Sequence, residues 1–447
     1  MALPIFGEGN RTKLYILGGI IVLIILILLV VVLVRGFTNV QSPPRVVLQF
    51  WGVFDEPAYF SQAFQEYQRR SPNVSIVYRK FNFDDYEKQL IDAFAAGTGP
   101  DIWLMHNTWL PKHGDKIQPL PQNTSDRRGP AKSFKDFQTE FVEVAISDLT
   151  RAGEIYALPI YVDSLALYYN RELFNNAGIA TPPADWEKFN ETVQKLTSID
   201  EASRIVKAGA AMGTARNINR STDILTLLMM QSGVQMTDWD NIYATFASTA
   251  NVVSQVALQY YVDFANPAKQ VYTWNDQQHY SIDAFSEGKV AMMLNYSHHI
   301  QTLRAKSPRL NFAVAPIPQI TGSTSVVNYA NYWVPTVSKQ SKNADEAWYF
   351  LAYLSSAEGA AMYVNASGRP AARRDIIQAQ QLEPDIGIFA TQALSTRSWY
   401  QADNTAIETI LAEMIDDVNF GRAAIRDALQ SAESKVNVVM QRSKRGP

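Results

Sequence analysis

The sequence contains no cysteine. This absence excludes disulfide bonds, thiolate metal sites, a cysteine nucleophile and lipid attachment through an N-terminal cysteine. The chain also lacks a strong excess of charge, with a formal net charge of −3 and an isoelectric point of about 6.0. Because nucleic-acid-binding domains are usually strongly basic, we expect no nucleic-acid partner. What is present is 447 residues, 47% of them hydrophobic, which is enough for a large core held together by ordinary packing.

Recognisable catalytic motifs are missing too. The sequence has no G-x-S-x-G nucleophile elbow, no Walker A loop and no H-E-x-x-H zinc motif. Gly97 and Gly99 follow a predicted helix and not a strand, so they do not form a dinucleotide fingerprint. His298 and His299 are adjacent and cannot easily face one ion. We therefore expect no metal site, no cofactor and no catalytic residue, and we interpret the chain as a binder and not an enzyme.

One long apolar run lies near the N-terminus. Residues 14–34 contain no charged side chain, and at about 1.5 Å per residue such a helix spans roughly 30 Å, the thickness of a bilayer core. The run is longer than a signal-peptide core, and no small-residue cleavage pattern follows it. We therefore expect an uncleaved, single-pass anchor in the lipid bilayer at 14–34. Residues 1–13 would form a cytoplasmic tail and residues 35–44 a tether to an extracytoplasmic domain at 45–447.

The rest of the chain alternates between short β-branched runs and amphipathic helical patterns, which is typical of α/β sheets with parallel strands. Asp185 is placed to cap one helix, and Asp55 another. No long glycine- or proline-rich linker divides the domain, which favours two interwoven lobes. The patterns predict strands at 45–50, 74–78, 101–105, 290–295 and 311–316, helices at 186–197, 222–231, 252–264, 343–354 and 357–364, and a helical tail at 406–441.

Several separate motifs resemble one protein family, in the family's order. They are AGTGPDI at 96–102, GEIYALP at 153–159 followed by LYYN at 167–170, FSEGKVAMM at 285–293, SKN at 341–343 and GRPAAR at 368–373. With these motifs, residues from about 45 to 441 resemble the family 1 extracellular solute-binding proteins of bacterial ABC importers, which include the maltose- and oligosaccharide-binding proteins. Most relatives carry a cleaved signal or a lipid-bearing cysteine. This chain has neither, so the predicted anchor would replace the lipid.

The resemblance implies a two-lobed fold of the periplasmic-binding-protein type II class, in which crossing segments interweave the lobes. We expect crossings near Asp163, Asn311 and Gly368. Lobe 1 would comprise about 45–161 and 312–367, and lobe 2 about 162–311 and 368–447. The resemblance further implies a monomer that captures a small solute, foremost a sugar or oligosaccharide, by hinge closure and presents it to ABC permease subunits in the membrane.

The cleft between the lobes is the expected site, because ligands of open α/β sheets sit beyond the carboxyl ends of the strands. Saccharides offer hydroxyls to charged or amide groups and C–H faces to aromatic rings. The aromatic candidates are Trp51, Trp109, Tyr296, Tyr332 and Trp333, the hydroxyl partners are Asp55, Asn107, Asp163 and Asn295, and Arg369 could reach in from the last crossing.

Structural alternatives stay open for several of these residues. Trp51 could belong to the core, Asp55 could only cap a helix, and Asp163 could orient the hinge backbone. Because side chains alternate along a strand, only one of Tyr332 and Trp333 would face the cleft.

The function has open alternatives as well. The chain could be the solute-sensing input of a membrane partner or an extracytoplasmic carbohydrate-active enzyme. Its ligand could also be glycerol phosphate or a polyamine instead of a sugar.

Overall fold

The computed structural model describes residues 8–38, 45–122, 131–249 and 251–444. The strands are β1 Val46–Gly52, β2 Val74–Lys80, β3 Ile102–His106, β4 Thr150–Arg151, β5 Glu154–Ile155, β6 Ala166–Asn170, β7 Ser198–Ile199, β8 Ile205–Ala210, β9 Val290–Asn295, β10 Phe312–Ala315, β11 Asn328–Tyr329, β12 Trp333–Val337 and β13 Thr396–Arg397.

The helices connect and cover these strands. They are α1 Glu8–Thr38, α2 Pro57–Arg70, α3 Phe83–Ala95, α4 Leu110–His113, α5 Phe134–Glu140, α6 Glu143–Leu149, α7 Arg171–Asn176, α8 Trp186–Leu196, α9 Ser221–Gln231, α10 Asn251–Asp263, α11 Ser281–Ser286, α12 His299–Lys306, α13 Ala344–Leu354, α14 Ala357–Ser367, α15 Arg374–Gln380, α16 Ile386–Ala393, α17 Asn404–Asn419 and α18 Ile425–Lys444.

The first lobe is built on a four-stranded sheet in the order β12-β3-β1-β2. β1 is parallel to β2 and β3, whereas β12 is antiparallel to β3. Every residue of β3 is buried, as expected for a central strand covered on both faces. Helices α2, α3, α13 and α14 contribute aromatic and aliphatic side chains to the core of this lobe.

The second lobe is built on a five-stranded sheet in the order β10-β6-β9-β8-β7. β8 is parallel to β9, and the other neighbouring strands pair antiparallel. Helices α8, α9, α10, α17 and α18 complete its core. The carboxylate of Asp185 accepts a hydrogen bond from the Lys188 amide at 2.7 Å, so it caps α8 as predicted.

The crossings divide the chain differently from the predicted boundaries. Val162 packs in the first core and Leu165 in the second, so the first crossing lies between them. β10 pairs with β6, so residues 312–315 belong to the second lobe, and the predicted crossing near Asn311 is wrong. The chain returns to the first core at Ala330.

The last crossing also comes later than residue 368. Ala371, Ala372 and Ile377 pack in the first core, and the second core is joined again at Ile386. The backbone pairing of Ser164 with Ala330 joins the first two crossing segments directly. The two lobes are therefore interwoven.

The N-terminal helix α1 stands apart from both cores and is 31 residues long. Its side chains at 15–31 are all exposed. None of the helices in the described ranges combines the length and the apolar character that a membrane crossing needs. The side chains at 14 and 32–34, and residues 1–7 and 39–44 as a whole, lie outside the described part of the chain. The anchor at 14–34 stays a prediction.

Candidate functional site

A small cavity, here called the central cavity, lies between the lobes at the carboxyl ends of β1 and β9. Its volume is about 60 Å³. Four of the predicted site residues line it, namely Asp163, Tyr296, Trp333 and Arg369. Its other lining residues are Phe54, Tyr161, Arg220, His298 and Asn331.

A larger space, here called the side cavity, adjoins the central cavity. Its volume is about 640 Å³, within the range of roughly 300–1,000 Å³ typical of ligand pockets. The first lobe lines it with residues 107–111 and 147–151, and the second lobe with residues 230–241 and 398–401, though not every residue of these segments takes part. The two cavities are neighbours in the structure. Asn107 lines the side cavity, and the residue before it, His106, is hydrogen-bonded to Asn331, which lines the central cavity.

Asp163 joins the first crossing to the loop after β9. Its carboxylate accepts hydrogen bonds from the Ser297 hydroxyl at 2.7 Å, from the Ser297 amide at 3.0 Å and from the Ser164 amide at 2.8 Å. Burial raises the pKa of Asp163, and the hydrogen bonds from Ser297 and the charge of Arg369 oppose that rise. Most of the hydrogen bonds that this carboxylate can accept therefore come from Ser164 and Ser297, and they hold the backbone at the hinge in place.

Arg369 and Asp55 form a buried ion pair. The guanidinium Nη2 donates to Asp55 Oδ1 at 2.9 Å, and the guanidinium carbon lies 4.4 Å from the ring centroid of Tyr161. Burial raises the pKa of Asp55, whereas the charge of Arg369 lowers it. The N-cap of α2 is Glu56, so Asp55 does not cap that helix. Asp55 instead lies behind Arg369 and orients it toward the central cavity.

The two aromatic residues at the start of β12 point to different places. Trp333 lines the central cavity and packs against Phe54, with ring centroids 5.8 Å apart. The hydroxyl of Tyr332 donates to Asp148 Oδ2 at 2.9 Å, beside the side cavity. Of the two residues, Trp333 is therefore the one that lines the central cavity.

Asn107 also contacts Asp148, which the sequence did not point out. Asn107 Nδ2 donates to Asp148 Oδ2 at 2.9 Å, and the Ser398 hydroxyl donates to Oδ1. Burial raises the pKa of Asp148 to about 6, although the three side-chain hydrogen bonds that it accepts oppose the rise. Asp148 is thus the polar centre of the side-cavity wall.

Three other predicted site residues line neither cavity, because packing takes them elsewhere. Trp51 packs on Phe81, with ring centroids 4.6 Å apart. Trp109 is buried, and its indole N–H donates to Asn404 Oδ1 at 2.8 Å. Asn295 is fully buried, and its Oδ1 accepts from the Tyr296 amide at 2.9 Å. Like Asp55, these three residues lie near the site but line neither the central cavity nor the side cavity.

Phe54 and Arg220 are lining residues that the sequence did not identify. Both have left-handed backbone, with φ of 61°, which is uncommon and strained for side chains of this size. Phe54 belongs to the first lobe and Arg220 to the second, so the central cavity has such a residue on each side. No local sequence pattern predicts a positive φ at a phenylalanine or an arginine.

A chain of hydrogen bonds connects the lobes beside the central cavity. His106 Nε2 lies 3.1 Å from Asn331 Oδ1, Asn331 Nδ2 donates to Asp223 Oδ2 at 3.3 Å, and the Tyr296 hydroxyl donates to the same oxygen at 2.7 Å. Burial lowers the pKa of His106 to about 4, so its ring is neutral near pH 7. The Thr108 amide donates to His106 Nδ1, which assigns the proton to Nε2.

Metal binding has no support in the described ranges, where no three histidine or acidic side chains gather in an arrangement that would hold an ion. What the two cavities offer is aromatic rings beside carboxylate, amide and guanidinium groups. That combination can bind a polar organic solute with apolar faces.

Comparison with known proteins gives relatives along most of the chain. A binding protein of Brucella abortus (strain 2308) is 24% identical over 316 residues, 69% of this chain and 71% of that protein. The maltodextrin-binding protein MdxE of Bacillus subtilis (strain 168) is 21% identical over 399 residues, 86% of this chain and 87% of that protein.

A solved structure has the same fold. The sugar-binding protein MalE from Xanthomonas citri superposes with a TM-score of 0.72 at 17% identity, covering 89% of this chain and 98% of that one. The family model described as bacterial extracellular solute-binding protein matches residues 62–390. The family resemblance and the two-lobed α/β fold inferred from the sequence are thereby confirmed, and the chain belongs to the bacterial extracellular solute-binding protein family.

Proposed function

We propose that this protein is the membrane-anchored, extracytoplasmic substrate-binding subunit of an ABC importer, and that it captures a sugar or oligosaccharide between its two lobes. The observation that carries the proposal is the paired cavities at the lobe interface. Aromatic rings such as Trp333 and Phe54 stand there beside Asp163 and Arg369. A flat ring can pack on the C–H face of a pyranose, while charged groups bond its hydroxyls.

Hinge closure is the mechanism that this geometry supports. The central cavity, at about 60 Å³, is far smaller than the roughly 300–1,000 Å³ of typical ligand pockets, so we expect the lobes to separate when a sugar ring enters. A ligand that contacts Trp333 in the first lobe and Tyr296 in the second gains both contacts only when the lobes are together. That difference in contacts shifts the population toward the closed form.

The relatives favour a carbohydrate ligand over other solutes. One binds maltodextrin by its name, and the other is a sugar-binding protein. The importer role follows from the same family membership: the closed, loaded form would be presented to permease subunits in the membrane. A monomer suffices for this mechanism, because each chain supplies both lobes.

A membrane anchor at 14–34 is part of the proposal. The apolar run in the sequence is long enough for a bilayer core of roughly 30 Å, and the helix α1 extends through it. Its described side chains at 15–31 contact neither core and leave their apolar surface exposed. Anchoring would hold the binding domain near its permease at high effective concentration.

Glycerol phosphate is a second candidate ligand, because two arginines line the central cavity. Arg369 and Arg220 both face this space. Each is already matched by carboxylates, however: Arg369 by Asp55 at 2.9 Å, and Arg220 by Glu408 at 3.8 Å. A phosphate would have to compete with these partners, so the observation favours an uncharged sugar.

A thermal-shift panel on the full chain in detergent tests the ligand class. Maltose, maltotriose, mannobiose, glucose, glycerol 3-phosphate and spermidine are compared at equal concentrations. A ligand at about 100 times its Kd stabilises the folded state by about 2.7 kcal/mol, so a sugar should raise the unfolding midpoint. A shift with spermidine or glycerol 3-phosphate alone would remove the sugar assignment.

Membrane attachment needs its own experiment. The full chain and a variant with Leu23→Arg and Leu26→Arg are expressed and fractionated, and protease is added to spheroplasts. We expect the full chain in the membrane fraction with its C-terminal domain accessible from outside, and the variant released. A full chain found wholly in the soluble fraction contradicts the anchor.

A further inference from the structure

The hairpin at 236–245 carries Trp239 at its tip, at the wall of the side cavity. Trp239 is 90% exposed, although an indole is among the side chains that gain most from burial. Single exposed apolar residues are common and need no explanation by themselves. Here the exposed indole lines a space of about 640 Å³ between the two lobes, where a bound ligand could contact it.

The hairpin is firmly held, so the exposure of Trp239 does not follow from a loose loop. The carboxylate of Asp238 accepts from the amides of Ile242 at 2.6 Å and Tyr243 at 3.0 Å. The amide of Ala244 donates to Asn437 Oδ1 on α18 at 2.7 Å. These bonds fix the base of the turn to the second lobe, and the indole is presented from a rigid support.

The opposite parts of the side cavity supply polar groups. Asp148 stands in the wall with its acceptors facing Asn107 and Tyr332. Trp399 also lines the cavity and is 7% exposed, and its indole N–H has no hydrogen-bond partner. A buried donor without a partner is costly, and a ligand hydroxyl could satisfy it after a small adjustment.

The charges of the side cavity disfavour an anionic guest. Asp148, Asp238 and Asp240 line it, against the single cation of Arg151. A phosphate or a uronic acid would meet this excess of carboxylates. Neutral hydroxyls, by contrast, donate well to carboxylate oxygens.

We infer that the side cavity is a binding site for an uncharged saccharide ring, stacked on the indole of Trp239, and that the ligand is an oligosaccharide reaching from the central cavity into it. This inference rests on the proposed function, because it presupposes a sugar in the central cavity. It makes Trp239 a determinant of ligand length. A single ring would use the central cavity and leave Trp239 free, whereas the second and later rings would cover it.

The test measures binding to the full chain in detergent by calorimetry, with two ligand series of one to four rings, one of α-1,4-linked glucose and one of β-1,4-linked mannose. For the series that binds, Trp239→Ala should weaken binding of the longer ligands about tenfold and leave the single ring unchanged. Trp239→Phe, which keeps a flat ring, should recover most of the loss. Leu382→Ala removes a side chain that is 89% exposed and lies outside the side cavity, and it should change nothing.

A second readout follows the indole directly. The tryptophans are replaced by 5-fluorotryptophan, and the ¹⁹F resonance of Trp239 is assigned from its loss in Trp239→Phe. We expect this resonance to move with an oligosaccharide and to stay in place with a single sugar.

Two results separate this inference from the proposed function. If saccharides bind but Trp239→Ala matches the wild type at every length, the side-cavity inference is overturned while the sugar-binding function stands, and the exposed indole is free for a protein contact. If neither series binds and only spermidine or glycerol 3-phosphate does, the proposed function fails and takes the inference with it.

Discussion

Asp163 accepts two hydrogen bonds from Ser297, one from the hydroxyl at 2.7 Å and one from the backbone amide at 3.0 Å. Asp163 lies on the first crossing, and Ser297 lies in the loop after β9 of the second lobe. The pair therefore fixes the hinge to the loop that carries Tyr296 and His298 into the central cavity. The carboxylate acts on the site mainly through its neighbours.

Replacement of Asp163 by Asn should reduce stability as well as ligand binding. An amide has one acceptor oxygen in place of two and brings an N–H₂ group against the donors of Ser297. We expect a loss of about 1–3 kcal/mol in the free energy of unfolding, as for other buried charged hydrogen bonds. Urea unfolding of the full chain, followed by tryptophan fluorescence, measures it.

An exposed carboxylate provides the comparison. Asp92 on α3 pairs with Lys88 at the surface, and Asp92→Asn should cost under about 1 kcal/mol. Ser297→Ala, which removes one donor to Asp163, should fall between the two. An Asp163→Asn variant as stable as Asp92→Asn would show that this hydrogen-bond network does not support the hinge.

Much of the framework could be predicted because its signals are local. The runs at 74–78, 101–105 and 290–295 are strands in the structure, with bounds that agree within two residues. The tail at 406–441 was predicted as one helical stretch. It forms two helices, α17 and α18, because the chain turns at Gly421, where φ is +66°.

The arrangement of the site could be predicted only in part, because it depends on contacts between distant segments. Trp333 and Asp163 were predicted from their places at strand ends, and both line the central cavity. The partnership of Asp55 with Arg369 spans more than 300 positions, and nothing near Asp55 distinguishes it from a helix cap. The side cavity is lined by four separate stretches of the chain, so no single sequence motif could predict it.

The buried ion pair of Asp55 and Arg369 should be strongly coupled. Arg369→Met leaves Asp55 buried without its counter-charge, and we expect a loss of about 3–5 kcal/mol in stability. The double variant Asp55→Asn with Arg369→Met removes both charges and should recover a substantial part of that loss. A double-mutant cycle from urea unfolding gives the coupling energy.

The exposed pair of Arg304 with Asp385 serves as the control for the buried pair. Because Arg304 is 62% exposed, Arg304→Met should cost no more than about 1 kcal/mol. Equal losses for Arg304→Met and Arg369→Met would mean that the buried pair is solvated in solution and does not depend on its partner.

A polar latch between the lobes should influence their opening. Lys112 on α4 contacts Asp403, the N-cap of α17, at 3.0 Å, and Trp109 donates to Asn404 next to it. Lys112 also pairs with Glu87 at 2.6 Å. Burial alone would raise the pKa of Glu87, but hydrogen bonds from His113 and Lys112 outweigh it and hold that pKa at about 2. Glu87 should therefore be ionised throughout the neutral range, and it holds Lys112 beside Asp403.

The absence of cysteine allows the lobe separation to be measured cleanly. Spin labels at Gln89→Cys on α3 and Ser431→Cys on α18, both exposed, report the distance between the lobes by pulsed electron resonance. We expect Lys112→Met with Asn404→Ala to shift the ligand-free protein toward longer distances. As a control, Lys88→Met breaks a surface ion pair within α3 and should leave the distances unchanged. If the latch variant also leaves the distances unchanged, the latch does not hold the lobes together.

Asp148 should make stability depend on pH. Burial raises its pKa in the folded state to about 6, above roughly 3.9 in an unfolded chain. Between these values the folded state holds a proton that the unfolded state has released. The contribution of Asp148 to the free energy of unfolding should therefore be greatest below about pH 4. It should fall by up to about 2–3 kcal/mol as the pH rises through 6. Urea unfolding at pH 4.5, 5.5, 6.5 and 7.5 measures the slope.

Asp148→Asn isolates this contribution, because the amide keeps the shape of the side chain and cannot titrate. As the pH rises above 6, the free energy of unfolding of the wild type should fall relative to that of the variant. The other titrating groups are the same in both proteins, so their contributions cancel in this difference. A constant difference from pH 4.5 to 7.5 would mean that the hydrogen bonds from Asn107, Tyr332 and Ser398 already offset the burial of the carboxylate. Asp148 would then be ionised at every pH tested, ready to accept a hydrogen bond from a ligand hydroxyl in the side cavity.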